Sequence, residues 1–379
     1  MNGNKKKRPL IIIVLISLLL LPLFLRSQQY SDLPRPNCFV KGTPRSNLVV
    51  VKEIVPDFDK DLFFAVPWTM AVSKLGYIYL YDIKMFRVFI FGPNYQYIGQ
   101  CLTRGMGPGE SPGPGNKELH VSANQNLLIH DGLTDRIICF SQNGKYLKEA
   151  RLHRPTKTKK PSIPVVDMDG NLYLFSQGNS IVDKYDKDLK LVKSYLDINL
   201  NDRFVFYRPA FEDRYTQPKL RGLKNLKLWL IPTTFNTFFD VTPDNQLFIF
   251  LYRSGTAFFF KKDQLSNQFE ILIDRVLNKH KEKVIAMNKE QKEKKNGNPF
   301  GAERAMFMSC FLDFDDPNYF YLQGNFEDPE YSLYRFDRKG KLNRVFSNYQ
   351  HQVIFKGKSN GVFQGLSMKD FHPVVLKQN

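Results

Sequence analysis

The segment Arg87–Ile98 (RVFIFGPNYQYI) returns in outline 49 positions later as Arg136–Leu147 (RIICFSQNGKYL). Each copy reads as a strand ending on an aromatic residue, a short polar turn, and a second strand restarting on an aromatic. A single hairpin of this kind cannot bury its apolar faces alone, so copies must pack on one another, and the chain is expected to fold as a repeated all-β array. The units can be followed along the sequence. TMAVS, YIYLYD, RVFIF and YQYIGQCL form the first; LHVSA, NLLIHD, RIICF and KYLKEARL the second; IPVVDMDGNLYLFS, IVDKYD and LKLVKSYL the third. TFFDVTPDNQLFIFL, TAFFFKKD and QFEILID form the fourth, and SCFLDFDDPNYFYLQ, YSLYRFDRKG and KLNRVFS the fifth. Asp-Gly, Asn-Gln, Asp-Asn and Asp-Pro recur between first and second strands, where tight turns call for such residues.

The two ends of the domain hold what remains. LVVVKEIV (48–55) stands outside the first unit's own strands, and VIFK, VFQGLS and HPVVLK follow Ser347. Combining them makes one composite unit and removes open sheet edges. The sequence therefore predicts a six-bladed β-propeller over 47–379, with insertions at about 199–234 and 275–306. The second insertion, with HKEKVIAMNKEQKEKKNGN, reads as helical to about Lys295 and ends at Gly297 and Pro299. Phe 33 and Tyr 18 against Trp 2 suit strands packed sheet on sheet.

Ahead of the domain, 1–9 is basic (Lys5, Lys6, Lys7, Arg8), 10–26 carries an uncharged apolar run from Leu10 to Leu25, and 27–46 is a polar, proline-bearing linker. This predicts a signal peptide or transmembrane anchor helix with its basic end retained in the cytoplasm. No small-x-small cleavage site precedes Gln28, which favours an uncleaved anchor. The expected address is the cell envelope, membrane-anchored and facing the periplasm or exterior, or secreted if the segment is cleaved. The formal charge of +18 would suit a nucleic-acid binder. Export away from nucleic acid points instead to a protein or an anionic glycan or lipid surface as partner. Cys38, Cys101, Cys139 and Cys310 are too far apart for a CxxC pair, and read as isolated buried thiols, with one or two disulfides as the other option.

FGPNYQYIGQCLTRGMGPGES (91–111) resembles the exported bacterial six-bladed β-propeller proteins related to NHL repeats, through Ile98, Gly99, Gly105, Gly107, Pro108, Gly109 and Glu110. YIYLYD before it and LLIHDGLTDRIICFSQNGKYL after it continue the likeness over about 66–150. The resemblance implies fold and envelope location, and no common activity.

Several constellations carry residue types suited to chemistry. Arg104, Gly105, Gly107, Gly109 and Glu110 form an irregular segment that either presents N–H groups to an anion or serves as a connector. Lys145, Lys148, Arg151, Arg154, Lys157, Lys159 and Lys160 form a basic stretch, read as a solvated face or as a contact for phosphate-bearing lipid or acidic partners. Gly357-Lys358-Ser359-Asn360-Gly361 matches a nucleophile elbow followed by Asp370 and His372, but reads better as a hairpin. Glu118, His120, His130 and Asp131 could feed a metal in a central channel, although strand polar residues satisfied locally explain them better. The expectation is thus a non-enzymatic binding or scaffold protein with a basic rim, with no catalytic or metal residues and no cofactor. The alternative is a metal-dependent hydrolase or lyase with its site in the channel.

Overall fold

A computed structural model describes residues 43–55, 63–113, 117–152, 162–175, 182–196, 237–251, 256–271, 307–324, 333–347, 353–367 and 372–379. The signal or anchor segment, the linker with Cys38, both insertions, Asp370, and Arg154, Lys157, Lys159 and Lys160 lie outside these residues. Among the described residues there is no helix.

The chain enters on β1 (Arg45–Glu53) and then lays down four-stranded antiparallel sheets in sequence order. The first is β2 (Pro67–Val72), β3 (Ile78–Asp82), β4 (Arg87–Phe91) and β5 (Tyr97–Cys101). A connector follows in which β6 (Thr103–Arg104) pairs parallel with β7 (Glu110–Ser111). The second sheet is β8 (Lys117–Val121), β9 (Leu127–Asp131), β10 (Arg136–Phe140) and β11 (Tyr146–Arg151). The third is β12 (Val165–Val166), β13 (Leu172–Phe175), β14 (Val182–Tyr185) and β15 (Leu191–Tyr195). The fourth is β16 (Thr237–Val241), β17 (Gln246–Leu251), β18 (Thr256–Lys261) and β19 (Gln264–Glu270).

The rest forms one eight-stranded sheet. It contains β20 (Phe307–Leu312), β21 (Tyr319–Gly324), β22 (Leu333–Asp337), β23 (Leu342–Ser347), β24 (Val353–Ser359), β25 (Val362–Ser367) and β26 (Pro373–Gln378), in the order β20-β21-β22-β23-β1-β26-β25-β24. Its hinge is β1. Arg45–Asn47 pair parallel with β23, and Leu48–Glu53 pair antiparallel with β26, so the two ends of the domain meet as expected.

The sequence repeat corresponds to one hydrogen-bonded turn used again and again. Ser73, Ser122, Asp167 and Thr242 each receive a bond from the N–H three residues on and donate their own N–H to the carbonyl four residues on. Their side-chain oxygens also accept from the N–H at that fourth position. The same pair of backbone bonds closes the third-to-fourth-strand turns at Gly92, Ser141, Asp186 and Asp337. Each turn needs one residue at positive φ, supplied by glycine at Gly76, Gly144, Gly170 and Gly340 and by Tyr95, Gln125, Leu189 and Asn245 elsewhere.

Apolar side chains fill the gaps between consecutive sheets. Phe248 and Phe259 stack at 4.7 Å, and Phe248 reaches Phe320 of the next sheet at 5.0 Å. Phe89, Phe91, Met70 and Val72 of the first sheet pack against Leu366 and Val375 of the chain's last strands. The sheets are therefore arranged in a propeller-like way, with first strands innermost: β2 lies beside both β8 and β24, β24 beside β20, β20 beside β16 and β16 beside β12.

In every sheet the first-to-second and third-to-fourth turns share one end, here called the turn end, while second-to-third and sheet-to-sheet links leave from the other, the connection end. The turn end is laced sheet to sheet. Asn245 donates to Asp169 (2.8 Å), Arg338 forks onto Asp244 (2.7 and 2.9 Å), and Lys358 reaches Asp315 (2.6 Å). The Arg338 guanidinium holds the Asp244 carboxyl well below the usual carboxylate range. That contribution is present at neutral pH and lost as pH falls through the carboxylate range. Because the pair is solvated, Arg338→Ala should lower unfolding free energy by only about 0.2–1 kcal/mol, less in high salt. A larger loss that salt does not reduce, in denaturant melts, would contradict this.

Candidate functional site

The innermost strands carry ionisable side chains where packing alone would favour apolar ones. On β8, Lys117 and Leu119 are buried on one face, and the alternation turns Glu118 and His120 to the other. His120 stands two residues before the turn residue Ser122, and Asp240 stands two before the matching Thr242. The same step holds Ala71 in the first sheet and Val165 in the third, both buried. His120 Nε2 lies 3.7 Å from Asp240 Oδ1, with side chains 15% and 13% exposed. At that separation they face one another without a direct hydrogen bond. The Asp240 carboxylate instead accepts the Val241 N–H at 2.7 Å.

Lys356 on β24 lies within electrostatic reach of Glu118. Burial pushes the Glu118 carboxyl up and the Lys356 ammonium down, each opposed by the charge of the other. Burial likewise pushes His120 down against Asp240, and Asp240 up against His120 and the Val241 N–H. Cys310 on β20 is a buried thiol pushed well up by burial, with the Asp240 charge adding to the effect. Groups from separate sheets thus face one another across the centre, each driven toward its neutral form. Such coupled, desolvated sets concentrate at functional sites. Chemically, the cluster offers two carboxyl acceptors and two donors on the innermost strands of separate sheets. Among the described residues, no three His, Cys, Asp or Glu side chains converge in a way that would hold a metal ion.

The other candidates from the sequence have different places. His130 and Asp131 are structural. His130 Nδ1 accepts the Ser162 N–H (2.8 Å), leaving Nε2 as the donor toward Asp135 at 3.3 Å. Asp131 accepts from Lys117 Nζ (2.9 Å), Leu133 N–H (3.0 Å), Ser111 Oγ (3.0 Å) and Thr134 Oγ1 (2.7 Å).

The irregular segment 104–110 turns its own carboxylate inward. Glu110 accepts the Gly107 N–H at 2.7 Å, and a Cβ at Gly105 would stand 2.0 Å from Glu110 Oε2. Gly109 packs on Tyr146 and Phe140, and Arg104 lies over the Phe86 ring, so the segment is fastened to both neighbouring sheets. Lys145 sits in the outer turn of the second sheet, and Lys148 and Arg151 lie exposed on its outermost strand, away from the axis. Lysines on an unpaired edge also discourage strand addition.

Gly357–Gly361 is the β24–β25 hairpin, turning at Asn360 (φ 53) and Gly361 (φ 75). The Ser359 hydroxyl is fully buried and bonded to the Gln364 amide, while His372 faces Glu53 at 3.3 Å. Cys101, Cys139 and Cys310 are buried free thiols. Asp240 and Lys356 belong to no motif in the sequence. The signal was there in the turn residues: aligning Ser73, Ser122, Asp167 and Thr242 exposes His120 and Asp240 as the charged exceptions at an otherwise apolar step.

No protein-family model matches the chain, and no curated protein matches it. Its architecture is similar to that of a Bacteroides fragilis protein described as exported, with a TM-score of 0.51 and 11% identity over 89% of this chain and 98% of that one. A member of the duf4221 family from Bacteroides vulgatus matches with the same TM-score, identity and coverage. The fold is a β-propeller. A streptogramin B lyase is more distant, at a TM-score of 0.47 and 10% identity over 88% of this chain and 98% of that chain. At such identities the likeness concerns the propeller scaffold, which serves many unrelated functions.

Proposed function

We propose that this chain is an exported, six-bladed β-propeller whose work is binding, and that it holds a small polar ligand at the axial cluster of Glu118, His120, Asp240 and Lys356. The six-blade count divides the eight-stranded sheet at β1: β20–β23 form the fifth blade, and β24–β26 with the antiparallel part of β1 form the sixth. Export is supported by the basic and then apolar N-terminal segment, and agrees with the description of the Bacteroides fragilis protein of similar fold. The single observation that carries the binding reading is the His120–Asp240 pair at 3.7 Å. It desolvates two groups with no hydrogen bond between them, at a step where Ala71 and Val165 show that apolar residues suffice.

A second surface supports the partner reading. Lys145, Lys148 and Arg151 are exposed along the outer edge of the second blade, next to the Arg104–Glu110 connector. They suit a protein or anionic glycan partner bound in a salt-sensitive way.

The test is a ligand-induced melting shift with the full chain and Lys356→Met, over a panel of small polar compounds. A ligand of the axial site at 100 times its Kd adds about 2.7 kcal/mol to wild-type stability and little to the variant. Compounds that stabilise both proteins equally would remove the axial site from consideration. Turnover of a stabilising compound would convert the binder into an enzyme.

A further inference from the structure

One large aromatic side chain stands exposed on the innermost strand of the first sheet. Trp68 is 46% exposed, although it belongs to β2, the innermost strand of its sheet. The cause is local. The β2–β3 register pairs Pro67 with Asp82 and Thr69 with Tyr81, so Trp68 is the extra residue of a β-bulge. Bulges turn a side chain out of the regular alternation, and are frequent beside binding sites.

Its position matters more than its exposure. β2 lies between β8 and β24, the strands that carry Glu118 and Lys356. In the second sheet Lys117 pairs with Asp131 and Glu118 with His130, so Thr69 occupies the same step as Glu118. Trp68 therefore sits about one residue rise, roughly 3.3 Å, nearer the connection end than the Glu118 level. His120 and Asp240 lie two residues deeper. Leu133 (51% exposed), between the second and third strands of the second sheet, adds apolar surface at the same end.

This juxtaposition selects a chemical class. The cluster combines two carboxyl acceptors with the donors of Lys356 and His120, two groups of each sign and each pushed toward its neutral form, so it offers no strong net field to draw in a simple ion. A hydroxyl group is itself one donor and two acceptors, so a row of hydroxyls satisfies such a lining where a lone cation or anion would not. An exposed indole adds a flat apolar face with a polar edge. A molecule with one apolar C–H face and a rim of hydroxyls fits both. We propose that the axial site takes a neutral sugar ring, stacked on Trp68, with its hydroxyls hydrogen-bonded to Glu118, His120, Asp240 and Lys356. This rests on the axial cluster being the binding site, and names its ligand.

The experiment uses the full chain carrying Trp229→Phe. The sequence contains only two tryptophans, so Trp68 becomes the sole indole reporter. Maltotriose and chitotriose are titrated as neutral probes, with trigalacturonate and tetramethylammonium as the anionic and cationic arms, and fluorescence is backed by calorimetry. The expected result is a saturable change in Trp68 emission with a neutral trisaccharide. Trp68→Ala should weaken its affinity by about tenfold or more, equivalent to about 1.4 kcal/mol, while Trp68→Phe retains most of it and Glu118→Gln weakens it with the melting curve intact. The sugar assignment is overturned if neither neutral sugar binds, or if Trp68→Ala binds them as well as wild type does. Binding of trigalacturonate or tetramethylammonium alone, lost in Lys356→Met and retained in Trp68→Ala, would overturn the sugar assignment while leaving the axial site as the binding site.

Discussion

Lys117→Met is expected to destabilise the fold by about 3–5 kcal/mol, because it strands a carboxylate with no route to water. Lys117 and Asp131 have side chains 1% and 0% exposed, and their 2.9 Å bond is the centre of a network that is fully used. Burial alone would raise the Asp131 carboxyl. Lys117, Thr134 Oγ1 and the Leu133 N–H outweigh it and hold Asp131 below the usual carboxylate range. Its contribution is therefore complete at neutral pH and fades as pH falls through that range, so wild type and variant should converge in strong acid. The double replacement Lys117→Met with Asp131→Leu should not restore the loss, since Ser111 Oγ, Thr134 Oγ1, the Leu133 N–H and the Gly113 carbonyl would all lose a partner. Denaturant melts across pH decide the matter, and a loss below about 1 kcal/mol for the single variant would mean that water reaches Asp131.

The reason for this investment lies in the connector. Ser111 and Gly113 belong to the link between the first and second sheets, and Arg136 donates to the Glu110 carbonyl at 2.7 Å. Asp82, at the matching position of the first sheet, does the same work with backbone donors, accepting from Ala65, Val66, Lys84 and Met85. One aspartate after the second strand thus ties each incoming chain segment to the second-to-third-strand turn. In the second sheet the tie needs a buried lysine, and with it comes the sensitivity predicted above.

Much of this architecture can be read ahead of the structure because it is built from local chemistry. A serine, threonine or aspartate that closes the first turn, an Asn-Gln or Asp-Gly just after it, and an aromatic restart act within five residues of one another, so a period in sequence becomes a period in space. The meeting of β1 and β26 could be anticipated for a different reason, as leftover strands at both ends of a repeated array have open edges to satisfy. The axial set was only half legible. Glu118 and His120 stand out because they flank Leu119 in a short strand that leads into a turn. Lys356 lies in VIFKGKS, where alternation makes it look like an ordinary solvent-facing lysine, and Asp240 in TFFDV looks like the approach to a turn. What sets them apart is the partner each meets from a distant sheet, and no local pattern records that. Trp68 was missed likewise, since a bulge is visible only once the register with β3 is known.

The same physics predicts the opposite outcome at the axis. Replacing His120 and Asp240 together by alanine and valine, the residues found at the equivalent step in the first and third sheets, is expected to leave the protein at least as stable as wild type, and more stable by up to about 3 kcal/mol. That range takes the gain of about 1–4 kcal/mol for exchanging a buried, desolvated ionisable pair for packed apolar groups, less about 1 kcal/mol for the Val241 hydrogen bond. The single change His120→Ala should destabilise, because Asp240 then keeps its desolvation without the imidazole packed beside it. Its carboxyl, already raised by burial, would move higher, so the folded state would bind a proton that the unfolded state releases, and stability should recover as pH falls toward the carboxylate range. In the wild type His120 works with the opposite sign. Burial pushes it down, so protonating it costs the folded state, and this part of the stability declines as pH drops through the histidine range. Chemical denaturation of the three proteins at several pH values separates these cases. If the double variant is as unstable as the single one, the pair holds the sheets together and the binding reading loses its foundation. If it is more stable, the protein is retaining a destabilising pair at its centre, and a ligand that uses both groups is the physical reason to retain it.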